Sequence, residues 1–149
     1  MRTVNRSALV PYSAEDMFAL VDDIDSYPTF LPWCSDVEVH IRENNVVEAT
    51  LELHRGKLSK RFRTRNTLHP HEAIDLELVG GPFRHLSGGW RFQSLGDSGS
   101  KVSLQLEFEL NSRALDLLIG AFFEETCNSL IGAFTQRANS VYASGSGDE

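Results

Sequence analysis

At Leu110 the hydrophobic period of this chain changes from two to about 3.6, and that switch constrains the fold more than any other feature. Before it, "KVSLQLEFEL" sets Val102, Leu104, Leu106, Phe108 and Leu110 on one side and Ser103, Gln105, Glu107 and Glu109 on the other. Such alternation marks a strand with one dry and one wet face, as in an antiparallel sheet. After it, Asn111 or Ser112 is placed to cap a helix. The run "ALDLLIGAFFEETCNSLIGAFTQRANSVY" then carries Leu115, Ile119, Phe122, Phe123, Leu130, Phe134 and Val141 on one broad stripe, with Glu124, Asn128, Gln136 and Asn139 opposite. The dry sheet face must be covered, and a helix of about eight turns is available to cover it.

The upstream chain supplies the rest of that sheet. Thr3 to Val10 alternates loosely and ends at Pro11, which predicts a first strand. Ser13 is an N-cap, with Glu15 and Asp16 in the favoured first turn, and a short helix runs to about Asp25. In "SYPTFLPWCS", Pro28 and Pro32 break regular structure. Tyr27, Phe30, Leu31 and Trp33 are too apolar for a solvent loop, so a second short helix or a tight corner is expected there. "VVEATLEL" alternates Val47, Ala49, Leu51 and Leu53 with Glu48, Thr50 and Glu52. Turn signals at Asn44-Asn45, Arg55-Gly56, His69-Pro70-His71, Gly80-Gly81-Pro82 and Gly96 to Ser100 separate about seven strands. The expected class is α+β: a curved antiparallel sheet, two short helices and one long C-terminal helix. Residues 1–143 are expected to form one domain, and "SGSGDE" at 144–149 a disordered tail.

Composition narrows the function. A net charge of −7 argues against unspecific adhesion to nucleic acid or anionic lipid, so any such contact must be local, and no DNA partner is expected. The two cysteines, Cys34 and Cys127, lie in no CxxC pair and are expected as buried thiols of a reducing cytosol. Arg2, Asn5 and Arg6 interrupt any N-terminal apolar region. No window approaches the roughly 18 apolar residues of a membrane span, so the expected location is cytoplasmic, with peripheral contact at the inner membrane as an option. The histidines show no metal-ligand spacing, and no GxSxG elbow or phosphate loop occurs. No metal, no required cofactor and no catalytic residue are expected.

Three stretches carry a resemblance. "VPYSAEDMFALVDDIDSYPTFLPWCSDVEV" (10–39), "GPFRHLSGGWRF" (81–92) and "IGAFTQRANSVY" (131–142) together resemble the coenzyme Q-binding and ribosome-association toxin family, within the START-like, polyketide cyclase-like helix-grip superfamily. The resemblance spans nearly the whole chain. It implies a curved sheet gripping the long helix around an apolar cavity. It also implies two roles: binding a ubiquinone-like isoprenoid lipid in support of respiration, or binding the large ribosomal subunit and blocking subunit joining, as in a toxin–antitoxin pair. Some relatives of the fold are cyclases, and His85 is the sole acid–base candidate on that reading.

Residues bear on these roles in three places. "LVGGPFRHLSGGWRF" (78–92) reads as a short link between two strands, rich in glycine and large rings. Either it is a hairpin whose aromatics finish the core, or Phe83 and Leu86 form a rim over a guest, facing Trp33, with Gly80, Gly81, Gly88 and Gly89 relaxing the backbone. In "KLSKRFRTRNTL", the parity of Leu58, Phe62 and Leu68 also turns Lys60, Thr64 and Asn66 inward, and Thr126 falls in the helix stripe. Such groups bond a quinone carbonyl or a water, or else local backbone. The expected ligand-facing set is Trp33, Phe62, Thr64, Asn66, Phe83, Leu86, Trp90, Phe122 and Thr126. Finally, six of the 14 basic residues lie between 55 and 65: Arg55, Lys57, Lys60, Arg61, Arg63 and Arg65. Arg61, Arg63 and Arg65 alternate onto an outer face. They form a footprint for rRNA phosphate or lipid headgroups, or they pair with Glu48, Glu52, Asp75 and Glu77 on neighbouring strands.

Overall fold

A computed structural model describes residues 1–96 and 99–143. Its elements run β1 (Arg2–Val10), α1 (Ala14–Asp22), α2 (Tyr27–Phe30), β2 (Cys34–Glu43), β3 (Val46–Arg55), β4 (Leu58–His69), β5 (Ala73–Gly80), β6 (Phe83–Leu95) and β7 (Gly99–Leu110). A helix in two parts follows, α3 (Arg113–Asn128) and α4 (Leu130–Ala143). The seven strands form one antiparallel sheet in the order β1-β7-β6-β5-β4-β3-β2. The tail expected at 144–149, and part of the turn expected between Gly96 and Ser100, lie outside the described residues.

Alternation places the core as expected. Val102, Leu104, Leu106, Phe108 and Leu110 of β7 are buried, and so are Val47, Ala49, Leu51 and Leu53 of β3. The turns fit their backbone chemistry: Asn44 (φ 52°) and Asn45 (φ 61°) take the left-handed region between β2 and β3. Ser13 Oγ accepts from the Asp16 amide to start α1. Ser112, rather than Asn111, caps α3 by accepting from the Leu115 amide. Ile24–Ser26 makes a 3₁₀ turn that leads into α2, with Pro28 in its first turn.

Two expectations need correction. Residues 78–92 are not a link: the turn is confined to the residues between Gly80 and Phe83, and Phe83–Leu95 is a continuous strand hydrogen-bonded on both sides. The helix is not straight either; α3 and α4 meet at 41°. The break falls at Ser129, whose hydroxyl donates to the Thr126 carbonyl at 2.7 Å while its amide is shared between Glu125 and Thr126 carbonyls. A hydroxyl inserted into the helical ladder bends it. Along the expected stripe Ile119, Phe123 and Phe134 are buried, whereas Val141, in a π-helical last turn (Asn139–Ala143), is exposed. Among the described residues no single helix is long and apolar enough to cross a membrane.

Candidate functional site

The concave face of the sheet and the two C-terminal helix segments enclose a cavity of about 90 Å³. Its walls come from every layer: Val21 and Ile24 from the α1 end, Tyr27 and Trp33 from the proline segment, Leu51, Phe62, Ile74, Leu76, Leu86, Trp90 and Leu106 from the strands, and Phe123, Cys127, Leu130 and Phe134 from the helix. Three polar side chains interrupt this apolar lining: Thr64, Asn66 and Thr126. Thr64 Oγ1 donates to Asn66 Oδ1 at 3.2 Å, which settles the acceptor of Asn66 and leaves its amide to other partners. The parity of β4 therefore holds, and it is these inward polar residues that reach the cavity.

The indole N–H of Trp33 is the unusual group. It is buried and has no hydrogen-bond partner among the described residues. An indole nitrogen only donates, and a buried donor left unpaired costs about 1–3 kcal/mol. The backbone around it is fixed: the Trp33 carbonyl accepts from the His54 amide at 2.7 Å. The site thus combines a residue with an unpaired indole donor, a carboxamide and two hydroxyls with an otherwise oily wall. Cys127 in that wall is not a ready nucleophile, because burial pushes its thiol well above the ordinary value. Burial also raises the Cys34 thiol, to about 11.

Of the nine residues expected to face a ligand, Trp33, Phe62, Thr64, Asn66, Leu86, Trp90 and Thr126 line the cavity. Phe83 and Phe122 do not. Phe83 is core: it packs edge-on or tilted against Phe62, Phe108 and Phe123, with ring centroids 5.1–6.0 Å apart. Phe122 sits one position along the helix from the lining residue Phe123, so it turns away and lies under the Arg55 guanidinium at 4.8 Å. The glycines of the expected rim also serve the sheet. A Cβ on Gly88 (φ +140°) would lie 2.0 Å from the Gln105 carbonyl oxygen, and one on Gly89 would lie 2.4 Å from that of Ile74. They let β5, β6 and β7 approach closely here. Lining residues outside the expected ligand-facing set, Tyr27, Leu76 and Leu130 among them, are apolar positions that only curvature brings together.

The outer face holds the basic strand, and its arginines are paired. Arg63 and Arg65 share Glu48, at 2.8 and 2.7 Å, and Arg61 reaches Asp36 at 2.6 Å and Glu52 at 3.5 Å. His85 also points outward, with Ser87 at 3.1 Å and Glu107 at 3.9 Å. A wider groove of about 910 Å³ between the start of α1 and the β4–β5 turn is open to solvent and walled by charged residues such as Glu72, Asp75 and Arg91, so it offers no enclosed apolar surface.

Comparison with known proteins agrees with this architecture. Residues 10–135 match the family described as polyketide cyclase / dehydrase and lipid transport. The chain is 44% identical over 142 residues to the ribosome association toxin RatA of Vibrio cholerae, covering 95% of this chain and 99% of the relative. It is 29% identical to the mitochondrial coenzyme Q-binding protein COQ10 homolog B of Xenopus laevis, covering 93% of this chain and 58% of that one. Among solved structures, a START superfamily protein from Mycobacterium smegmatis superposes with a TM-score of 0.77 at 21% identity, over 93% of this chain and 98% of the other. The Zhui aromatase/cyclase from a Streptomyces species does so with 0.81 at 18%, over 95% and 97%. A curved seven-stranded sheet closed by a C-terminal helix over an apolar cavity, with a family match across most of its length, makes this chain a member of the polyketide cyclase / dehydrase and lipid transport family with a START-like fold.

Proposed function

We propose that the protein binds, without transforming it, a ring-bearing isoprenoid lipid of the ubiquinone type, in support of respiration. The observation that carries this reading is Trp33, which lines the apolar cavity and whose buried indole N–H has no partner among the described residues. A carbonyl or methoxy oxygen on a flat ring supplies the acceptor it lacks, and the Asn66 amide and the Thr126 hydroxyl are at hand for a second oxygen. Among the described residues the lining contains no carboxylate and no imidazole, which favours holding over acid–base chemistry. A tail buried at about 0.8 kcal/mol per CH₂ supplies affinity without a charged anchor. The name of the COQ10 relative supports the same ligand class.

The cavity is smaller than the roughly 150 Å³ that accepts benzene, so the ring enters only as the wall opens. The break at Ser129 lies between the lining residues Cys127 and Leu130, where the helical ladder is already interrupted. The test is organic extraction of purified protein with mass spectrometry, and titration with a short-tailed ubiquinone read by tryptophan fluorescence. Saturable quenching is expected, and Trp33→Phe, read through Trp90, weakens it roughly tenfold. A wild-type protein that yields no lipid and gives no saturable response sinks the reading.

The RatA relatives favour a second reading, association with the large ribosomal subunit through the outer face. Arg61, Arg63 and Arg65 form its contact, and their carboxylate partners must then yield to phosphate. Overexpression raises free subunits in a sucrose gradient on this reading, and reversing the three charges abolishes the change.

A further inference from the structure

The first half of α3 carries two leucines that the core does not use. Leu117 is 80% exposed and Leu118 is 61% exposed. Leu118 stands one helical turn before Phe122 and shares its side of the helix. Phe122 is half-buried under Arg55 at 4.8 Å, so the end of β3 meets the helix one turn after Leu118, and Lys57 follows two residues later in the β3–β4 turn. Arg113 lies one turn before Leu117. Arg55, Lys57 and Arg113 form no ion pair among the described residues, whereas the arginines of the outer sheet face do. The acids of α3 are mostly occupied elsewhere: Asp116 and Glu124 are held by Arg2 at 2.9 and 2.8 Å, and Glu125 remains.

A chain of net charge −7 therefore gathers free cations beside two exposed leucines and a half-buried phenylalanine. We infer that this patch docks the protein on an anionic phospholipid surface. Leu117 and Leu118 enter the acyl boundary, and Arg55, Lys57 and Arg113 sit among the headgroups. A basic rim around an apolar centre is what such an interface selects. A polyphosphate surface uses the cations but gains nothing from the leucines. The inward side of the same helix, through Phe123, Thr126 and Cys127, is cavity wall, so the element that meets lipid also bounds the interior. Docking does not depend on the ligand proposed above.

The experiment is flotation with vesicles of phosphatidylcholine alone and of phosphatidylcholine with about one-third phosphatidylglycerol. The protein is expected to float with the anionic vesicles, less as salt rises. Leu117→Ser with Leu118→Ser lowers the partition at least tenfold, on the order expected for two apolar side chains, with unchanged thermal unfolding. Lys57→Glu with Arg113→Glu lowers anionic binding to the level seen on phosphatidylcholine. Wild-type protein that floats with neither vesicle overturns the inference, as does a leucine variant that floats like wild type. So does a leucine variant that loses only self-association in gel filtration, or only co-sedimentation with ribosomal subunits; these outcomes assign the patch to a second copy or to RNA. Quinone titration of the same variant, expected to be unchanged, separates a failure here from a failure of the ligand reading.

Discussion

Glu48 is 6% exposed on the face of the sheet that is otherwise wet. It lies directly across from Arg65 in the register and diagonally from Arg63, and its two carboxylate oxygens accept from both. Hydrogen bonding to Arg65, then to Arg63, holds its carboxyl below the usual range against the opposing effect of desolvation. A depressed folded-state pKa makes a contribution that is fully present above the unfolded value of about 4.3 and is lost as pH falls through the folded value. Glu48→Gln is accordingly expected to lower the urea midpoint at neutral pH and to flatten its fall on acidification, so that the two curves converge once the pH has dropped below the depressed folded value. Curves that stay parallel would show that Glu48 titrates alike in both states. The pairing itself was open in the sequence, because alternation tells which residues face outward but not which strand lies beside them.

At the level of the element, β6 is the informative case. Glycines inside a strand and glycines in a turn are the same letters, and "GGPFRHLSGGW" contains both kinds. Gly81, at φ +136°, belongs to the turn, whereas Gly88 and Gly89 are squeezed between neighbouring strands. Gly88→Ala must place a methyl group against backbone that cannot swing aside and must hold a left-handed φ. A loss of about 3 kcal/mol or more is expected in chemical denaturation, and a loss under about 1 kcal/mol would mean that the strand can slide. The same limit explains what else was legible. Strand parity placed Thr64 and Asn66 inside, and helical period placed Thr126 inside. Neither gives curvature, so the core position of Phe83, the outward turn of Phe122 and the bend at Ser129 could not be read. The exposed pair Leu117 and Leu118 has no signature of its own in the sequence, because it lies inside a broad apolar run.

For the whole molecule, the question is why a chain that interlocks four phenylalanines in its core keeps a void beside them. Phe62, Phe83, Phe108 and Phe123 interlock with centroid separations of 4.8–6.0 Å. Beside them the helix bends at Ser129, and the space left over is lined by Thr64, Asn66, Thr126 and Trp33, whose indole N–H is unpaired among the described residues. If stability alone had shaped this region, aliphatic side chains would fill it, since each buried CH₂ contributes about 0.8 kcal/mol and polar groups without partners cost free energy. Sites kept for binding carry that kind of local cost. Thr126→Ile tests the idea directly. It adds apolar volume on the helix side of the cavity and removes a hydroxyl, so the thermal midpoint is expected to rise by a few degrees, equivalent to about 1 kcal/mol in a domain of this size. Saturable quinone binding is expected to vanish in the same protein. Higher stability with undiminished binding would place the ligand elsewhere, and lower stability would show that the space is already too tight to fill.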